Sequence, residues 1–172
     1  MSSALSVSTY GLTYTTTHTV NHVTSKMLLI LKEIIREIGL DPGKLSNQWG
    51  ILELGISTWL RSQHLKQVSL EIFNPKTDAL VSRWDLDVVY GYGNDDTFWA
   101  DTDSIRYSIC KAGLVPSQCD YRFVVDTSPG REKVEGWGSC TARSTEGFHR
   151  YCLGATIGGN GIGTEVAYWR KI

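Results

Sequence analysis

Apolar residues near the N-terminus recur at helical spacing. Val20, Val23, Met27, Ile30, Leu31, Ile34 and Ile38 fall three and four apart, so a helix over 18–38 buries one stripe, and Gly39 with Asp41-Pro42 supplies its stop. Leu45, Trp49, Leu52, Ile56 and Trp59 form a second stripe over 45–60. Gly50 and Gly55 weaken that helix by about 1 kcal/mol each relative to alanine. Together the two elements predict a helical hairpin. The preceding stretch, 1–14, is polar with a weak alternation at Leu5, Val7 and Thr9, and reads as a tail or a frayed edge strand.

The period then falls to two. Val68, Leu70 and Ile72 alternate with polar partners, as do Trp84, Leu86, Val88 and Tyr90, which predicts two antiparallel strands joined through Asn74-Pro75-Lys76-Thr77-Asp78. After a polar and aromatic loop over 91–99, Asp101 caps a short helix carrying Ile105, Ile109 and Ala112 and ended by Gly113. Tyr121, Phe123 and Val125 alternate with Arg122 and Val124, which predicts a further strand entering the Asp126-Thr127-Ser128-Pro129-Gly130 turn. The class is α+β, with helices packed on a mostly antiparallel sheet.

More than half of the chain's 17 glycines lie between Pro129 and Gly163, without a sustained helical period. Trp137, Phe148, Tyr151, Tyr168 and Trp169 in and after this stretch are large anchors that a disordered linker lacks. The last third is therefore expected to dock on the rest while keeping the freedom to undock.

Composition narrows the function classes. At 172 residues the chain is one domain, and a formal charge of -1 gives no basic excess for nucleic acid or an anionic membrane. The longest nearly apolar run, Met27 to Leu31, is far short of the roughly 20 residues that cross a bilayer. No secretory signal is visible, so a cytoplasmic location is expected. Cys110, Cys119, Cys140 and Cys152 match no CxxC zinc spacing and read as reduced thiols.

Several short patterns invite chemistry. Asp85 and Asp87 in Trp84-Asp85-Leu86-Asp87-Val88 have the alternation with which nucleotidyltransferases hold divalent cations, but the Gly-Ser turn that would cradle a triphosphate is missing upstream. An alternating, solvated strand face explains the two aspartates better. Gly161-Ile162-Gly163 lacks the third glycine of a dinucleotide fingerprint and the chain needed to complete the unit. His18 and His22 lack a third zinc ligand, Cys140 and His149 lack a nucleophile elbow, and Asp95, Asp96, Asp101 and Asp103 do not have the spacing of a calcium loop. No catalytic, metal or cofactor site is expected.

The segments LEIFNPKTDALVSRWDLDVVYGYG (70–93), FWADTDSIRYSICKAGLVPSQCDY (98–121), DTSPGREKVEGWG (126–138), RSTEG (143–147) and the closing YWR (168–170) carry a resemblance. The chain resembles the bacterial HORMA-domain proteins encoded beside cyclic-oligonucleotide synthases (CD-NTases) in CBASS antiphage operons. The resemblance implies one HORMA domain over 1–172, with a flexible tail at 1–14, a core at 15–128 and a C-terminal safety belt at 129–172. It implies a non-enzymatic, peptide-binding signalling adaptor. The belt closes around a short extended closure motif, and the closed form binds and activates a CD-NTase. A Pch-type AAA+ ATPase reopens it by pulling on the N-terminus. The closure motif is a peptide or part of a second HORMA protein, and no nucleic acid, membrane or cofactor is implied. Mapped onto this sequence, the peptide site comprises Tyr121, Arg122, Phe123, Val124 and Val125 on the receiving edge, with Trp137, Tyr151, Tyr168 and Trp169 from the belt. Because the sequence stops at Ile172, where a belt strand should end, the resemblance favours a receiver of closure motifs over a donor.

Overall fold

The computed structural model describes residues 2–92, 99–159 and 161–172, with side chains described from Thr17 onward except at 92, 99 and 102. Ten elements follow one another: α1 (Ser2–Glu37), α2 (Gly43–Asn47), α3 (Trp49–Arg61), β1 (Leu65–Phe73), β2 (Leu80–Tyr92), β3 (Trp99–Ala100), α4 (Thr102–Ala112), β4 (Asp120–Thr127), β5 (Phe148–Gly158) and β6 (Gly161–Lys171). The strands form one six-stranded sheet in the order β3-β5-β6-β2-β1-β4, and every neighbouring pair is antiparallel.

The helical stripe buries as its spacing requires. Val20, Val23, Met27, Leu31 and Ile34 of α1 are solvent-free and join Ile56 and Trp59 of α3, Ile105 and Ile109 of α4, and Val68, Leu70, Ile72, Trp84 and Leu86 of β1 and β2 in one core. The core thus lies between the helices and one face of the sheet. Among the described residues no helix is long and apolar enough to cross a membrane.

Three expectations are corrected. The helix starts at Ser2, so most of 1–14 continues α1 instead of forming a tail or an edge strand. No proline interrupts it, and extending a nucleated helix fixes only one more residue per hydrogen bond. The helix expected over 45–60 is two, because the Gln48 N–H is shared between the carbonyls of Lys44 and Leu45 and closes the first before Trp49 begins the second. The last third is half irregular and half regular: 148–171 is a hairpin of two 11-residue strands, and only 128–147 crosses without a helix or strand. Glycines mask that hairpin in the sequence, since its register shifts at Cys152/Gly154 break the alternation. Asp95 and Asp96 of the proposed acidic cluster lie outside the described residues.

A strand edge encircled by the 128–147 segment

One side of β4 pairs with β1, and among the described residues no strand pairs with the other. The register of the open side follows from Tyr121. Its N–H donates to the Asp120 carboxylate at 2.7 Å and its carbonyl accepts from Lys44 Nζ at 2.7 Å, so both groups face away from β1. In an antiparallel ladder residues alternate in the side to which they present their backbone, so Phe123 and Val125 also present theirs outward. The Tyr121 groups are already occupied, which leaves a ladder starting at Phe123.

Side-chain alternation divides the strand between two environments. Tyr121, Phe123 and Val125 point to the helices. The Tyr121 hydroxyl donates to the Asp41 carbonyl at 2.7 Å, so this residue ties β4 to the connection between α1 and α2. Burial comes first among the influences that raise its phenol pKa. Arg122 and Val124 point to the opposite face, where Arg122 meets Glu71.

The 128–147 segment leaves the end of β4 and is fixed first on the helical side. Ser128 N–H donates to the His64 carbonyl at 2.8 Å, and the buried Trp59 indole donates to the Glu132 carbonyl at 2.9 Å. Trp137 donates to the Ile51 carbonyl at 3.0 Å and meets Trp59 edge to face, centroids 5.1 Å apart. This seat depends on two glycines. A Cβ on Gly55 would stand 2.3 Å from the Trp137 indole nitrogen, and Gly136, at φ +90°, would drive one to 2.7 Å from Ile51.

The same segment is next fixed on the opposite face of the sheet. Arg122 Nη2 donates to the Thr141 carbonyl at 2.7 Å. Arg143 donates its backbone N–H and Nη1 to the two oxygens of Glu71, both at 2.9 Å, its Nε to the Asp78 carbonyl at 3.1 Å, and its guanidinium lies 3.6 Å over Phe73. Glu71 is fully buried. Burial by itself pushes its carboxyl up, but the Arg122 hydrogen bond and the two from Arg143 outweigh it and hold the group below the usual glutamate value. Held on both faces, the segment passes around the open edge of β4. Two adjoining cavities of about 240 and 220 Å³ lie between strand and segment, with Phe123, Trp137 and Cys140 lining both.

Of the nine expected site residues, the structure brings Arg122, Phe123, Val124, Val125 and Trp137 together at this edge, with Tyr121 closing one end of it. It does not bring Tyr151, Tyr168 and Trp169 there. These lie on β5 and β6, across β2 and β1 from β4. Tyr168 stacks between Trp84 and Tyr151, at 4.9 and 5.0 Å. Trp169 donates to Asp85 at 2.8 Å, so these residues fasten the hairpin to β2.

Asp85 and Asp87 share a face, as their spacing required, and both are engaged. Asp85 accepts from Arg83, Ser69 and Trp169, and Asp87 from Gln67 and Arg150. Cys140 lies at the β4 edge while His149 meets Tyr151 edge to face at the far side of the sheet, so they form no pair. Gly161 is the first residue of β6 instead of opening a helix. The sequence reading missed Glu71 and Arg143. A charged residue at a core-flanking strand position was the available signal, but its partners lie 51 and 72 residues away.

A chain of a mitotic checkpoint complex shares this fold at a TM-score of 0.74, with 11% identity over 89% of this chain and 98% of that one. C. elegans HTP-2 bound to HTP-3 closure motif 1 matches at 0.60, with 11% identity over 87% and 86%. A chain of the E. coli MS115-1 HORMA:CdnC:Trip13 complex matches at 0.57, with 11% identity over 91% and 90%. No curated protein matches the sequence. The family model for bacterial HORMA domain 2 matches residues 8–172, and the chain belongs to that family.

Proposed function

We propose that this protein is a peptide-operated adaptor that takes a closure motif as an added strand on β4, beneath the 128–147 belt. The observation that carries the reading is the unpaired β4 edge encircled by a segment fastened on both faces of the sheet. Main-chain hydrogen bonds to Phe123 and Val125 supply affinity, and side chains lining the two cavities select among peptides. The structures of HTP-2 with closure motifs and of a bacterial HORMA protein with CdnC and Trip13 support the same assignment. On it, the peptide-bound form binds and activates a CD-NTase in antiphage defence in the cytoplasm. A Pch-type AAA+ ATPase acts on the N-terminal end of α1 to release the belt. The peptide comes from a separate ligand or from a second HORMA protein, and the domain catalyses nothing itself.

The test is a peptide-display selection on the full-length protein, followed by binding to Val125→Pro. Proline removes the outward N–H of an edge strand and leaves the ladder to β1 in place. Loss of binding by a folded Val125→Pro variant is expected. Unchanged binding sinks strand addition as the mode. Adding an enriched peptide, with this protein, to the cognate synthase should raise nucleotide production, and no stimulation would refute the activator role.

A further inference from the structure

The two cavities beneath the belt differ in chemistry, and the difference reads as a side-chain preference for whatever strand lies there. The first has a mixed lining, with Ile51 and Leu52 of α3, Phe123 and the Trp137 indole as its apolar part and Gln48 and Arg122 in its polar part. Lys44 stands at its far end with its ammonium already committed to Asp120 and the Tyr121 carbonyl. The second lies farther along β4, beside Val125, and its walls are polar, with Trp59, Ser139 and Arg131 among them. Arg131 lies with its guanidinium 5.2 Å over the Trp59 ring. It donates to the Glu132 carbonyl at 3.3 Å, and among the described residues it is in no ion pair with a carboxylate. Asp126 also borders this cavity, but strand alternation turns it with Arg122 and Val124 toward the other face. The helical side of the second cavity therefore presents one charged group, and it is positive.

A strand added to β4 places alternate side chains on that same helical side, about 6.5–7 Å apart. Phe123 and Val125, which mark the two cavities, have the same separation. Resting on the peptide-binding reading above, we propose that Ile51, Trp137 and Arg131 set its specificity: the preferred peptide carries an apolar residue opposite Phe123 and, two residues away on the same face, an aspartate or glutamate that pairs with Arg131.

Arg131 lies in the loop after β4, half-buried over the Trp59 ring, so the charge-reversed variant is first checked for an unchanged unfolding midpoint. Peptides selected by display on the full-length protein should share an apolar and an acidic residue separated by one position. Arg131→Glu should weaken them by about tenfold or more, since a lost charge-assisted hydrogen bond of about 1.5–3 kcal/mol corresponds to roughly 10- to 150-fold at 1.4 kcal/mol per decade. The same variant should bind versions with lysine in the acidic position better than wild type does. Selected peptides that depend on the Val125 N–H but lack the spaced pair, or that bind Arg131→Glu unchanged, overturn this specificity and leave strand addition standing. Peptides insensitive to both Val125→Pro and Arg131→Glu, or no enriched peptide, overturn the strand-addition reading and this inference with it.

Discussion

Glu71 shows how one residue fixes the course of the belt. A carboxylate without solvent contact is costly unless its oxygens are satisfied, and here one oxygen accepts from Arg122 and Arg143 and the other from the Arg143 backbone. Because the native carboxyl is held below its ordinary value of 4.5, the stability that it contributes is present in full above that pH and is lost as the pH falls through the lower native value. Protection factors at 141–147, taken against the intrinsic exchange rate at each pH, should therefore fall on acidification below about pH 4.5, and this response should vanish in Glu71→Gln. Retention of the acid response in Glu71→Gln would assign it to another group. Arg143→Ala, which takes the guanidinium from Glu71 and leaves it Arg122 and the backbone N–H of residue 143, should cost about 1–3 kcal/mol and loosen the same residues at neutral pH. On the helical side, Gly55→Ala tests the other fastening: its Cβ meets the Trp137 indole, so the ring must leave. The core beneath stays packed, and the expected result is faster exchange over 132–140 with little change in the protection of α1. Equal loosening of α1 would mean that Trp137 is part of the core and not a detachable seat.

At the scale of elements, period alone exposes α1, the β1–β2 hairpin, α4 and β4 in the sequence, because each buries one face against the same core. The β4 strand was legible for the same reason, as Tyr121, Phe123 and Val125 alternate with residues of the other face, whereas its role as a receiving edge came only with the family resemblance. The C-terminal aromatics were legible only as anchors, since what separates Trp137 from Tyr168 is the partner strand and not the residue type. Trp137 finds Ile51 from 86 residues away, and Trp169 finds Asp85 from 84. Asp85 likewise carries no mark in the sequence that distinguishes a metal ligand from the centre of an ion-pair network. Its surroundings decide: Asp85→Ala leaves Arg83, itself largely buried, without a counter-charge and takes the partner from Trp169. A loss of about 3–5 kcal/mol in unfolding free energy is expected, with the β5–β6 hairpin the first region to lose protection. A folded, fully stable Asp85→Ala protein would contradict this role.

For the whole molecule, the consequence of a belt passing around a strand edge is kinetic. A peptide threading beneath a segment pinned at Glu132 and Trp137 on one face and at Thr141 and Arg143 on the other must wait for at least one fastening to release. Docking of two ready surfaces runs at about 10⁵–10⁷ M⁻¹s⁻¹, and a required conformational change lowers that rate. Peptide association should therefore saturate with peptide concentration at a plateau equal to the rate of belt release. Gly55→Ala and Arg143→Ala each weaken one fastening, so both should raise the plateau. They should also shorten the lifetime of the bound state, because the same segment bars exit. A purely structural belt, fixed once during folding, predicts the opposite pattern: association linear in peptide concentration, and no response of either rate to these two substitutions. Stopped-flow fluorescence with a labelled peptide separates the two, and Val125→Pro supplies the control in which the edge is altered while both fastenings remain.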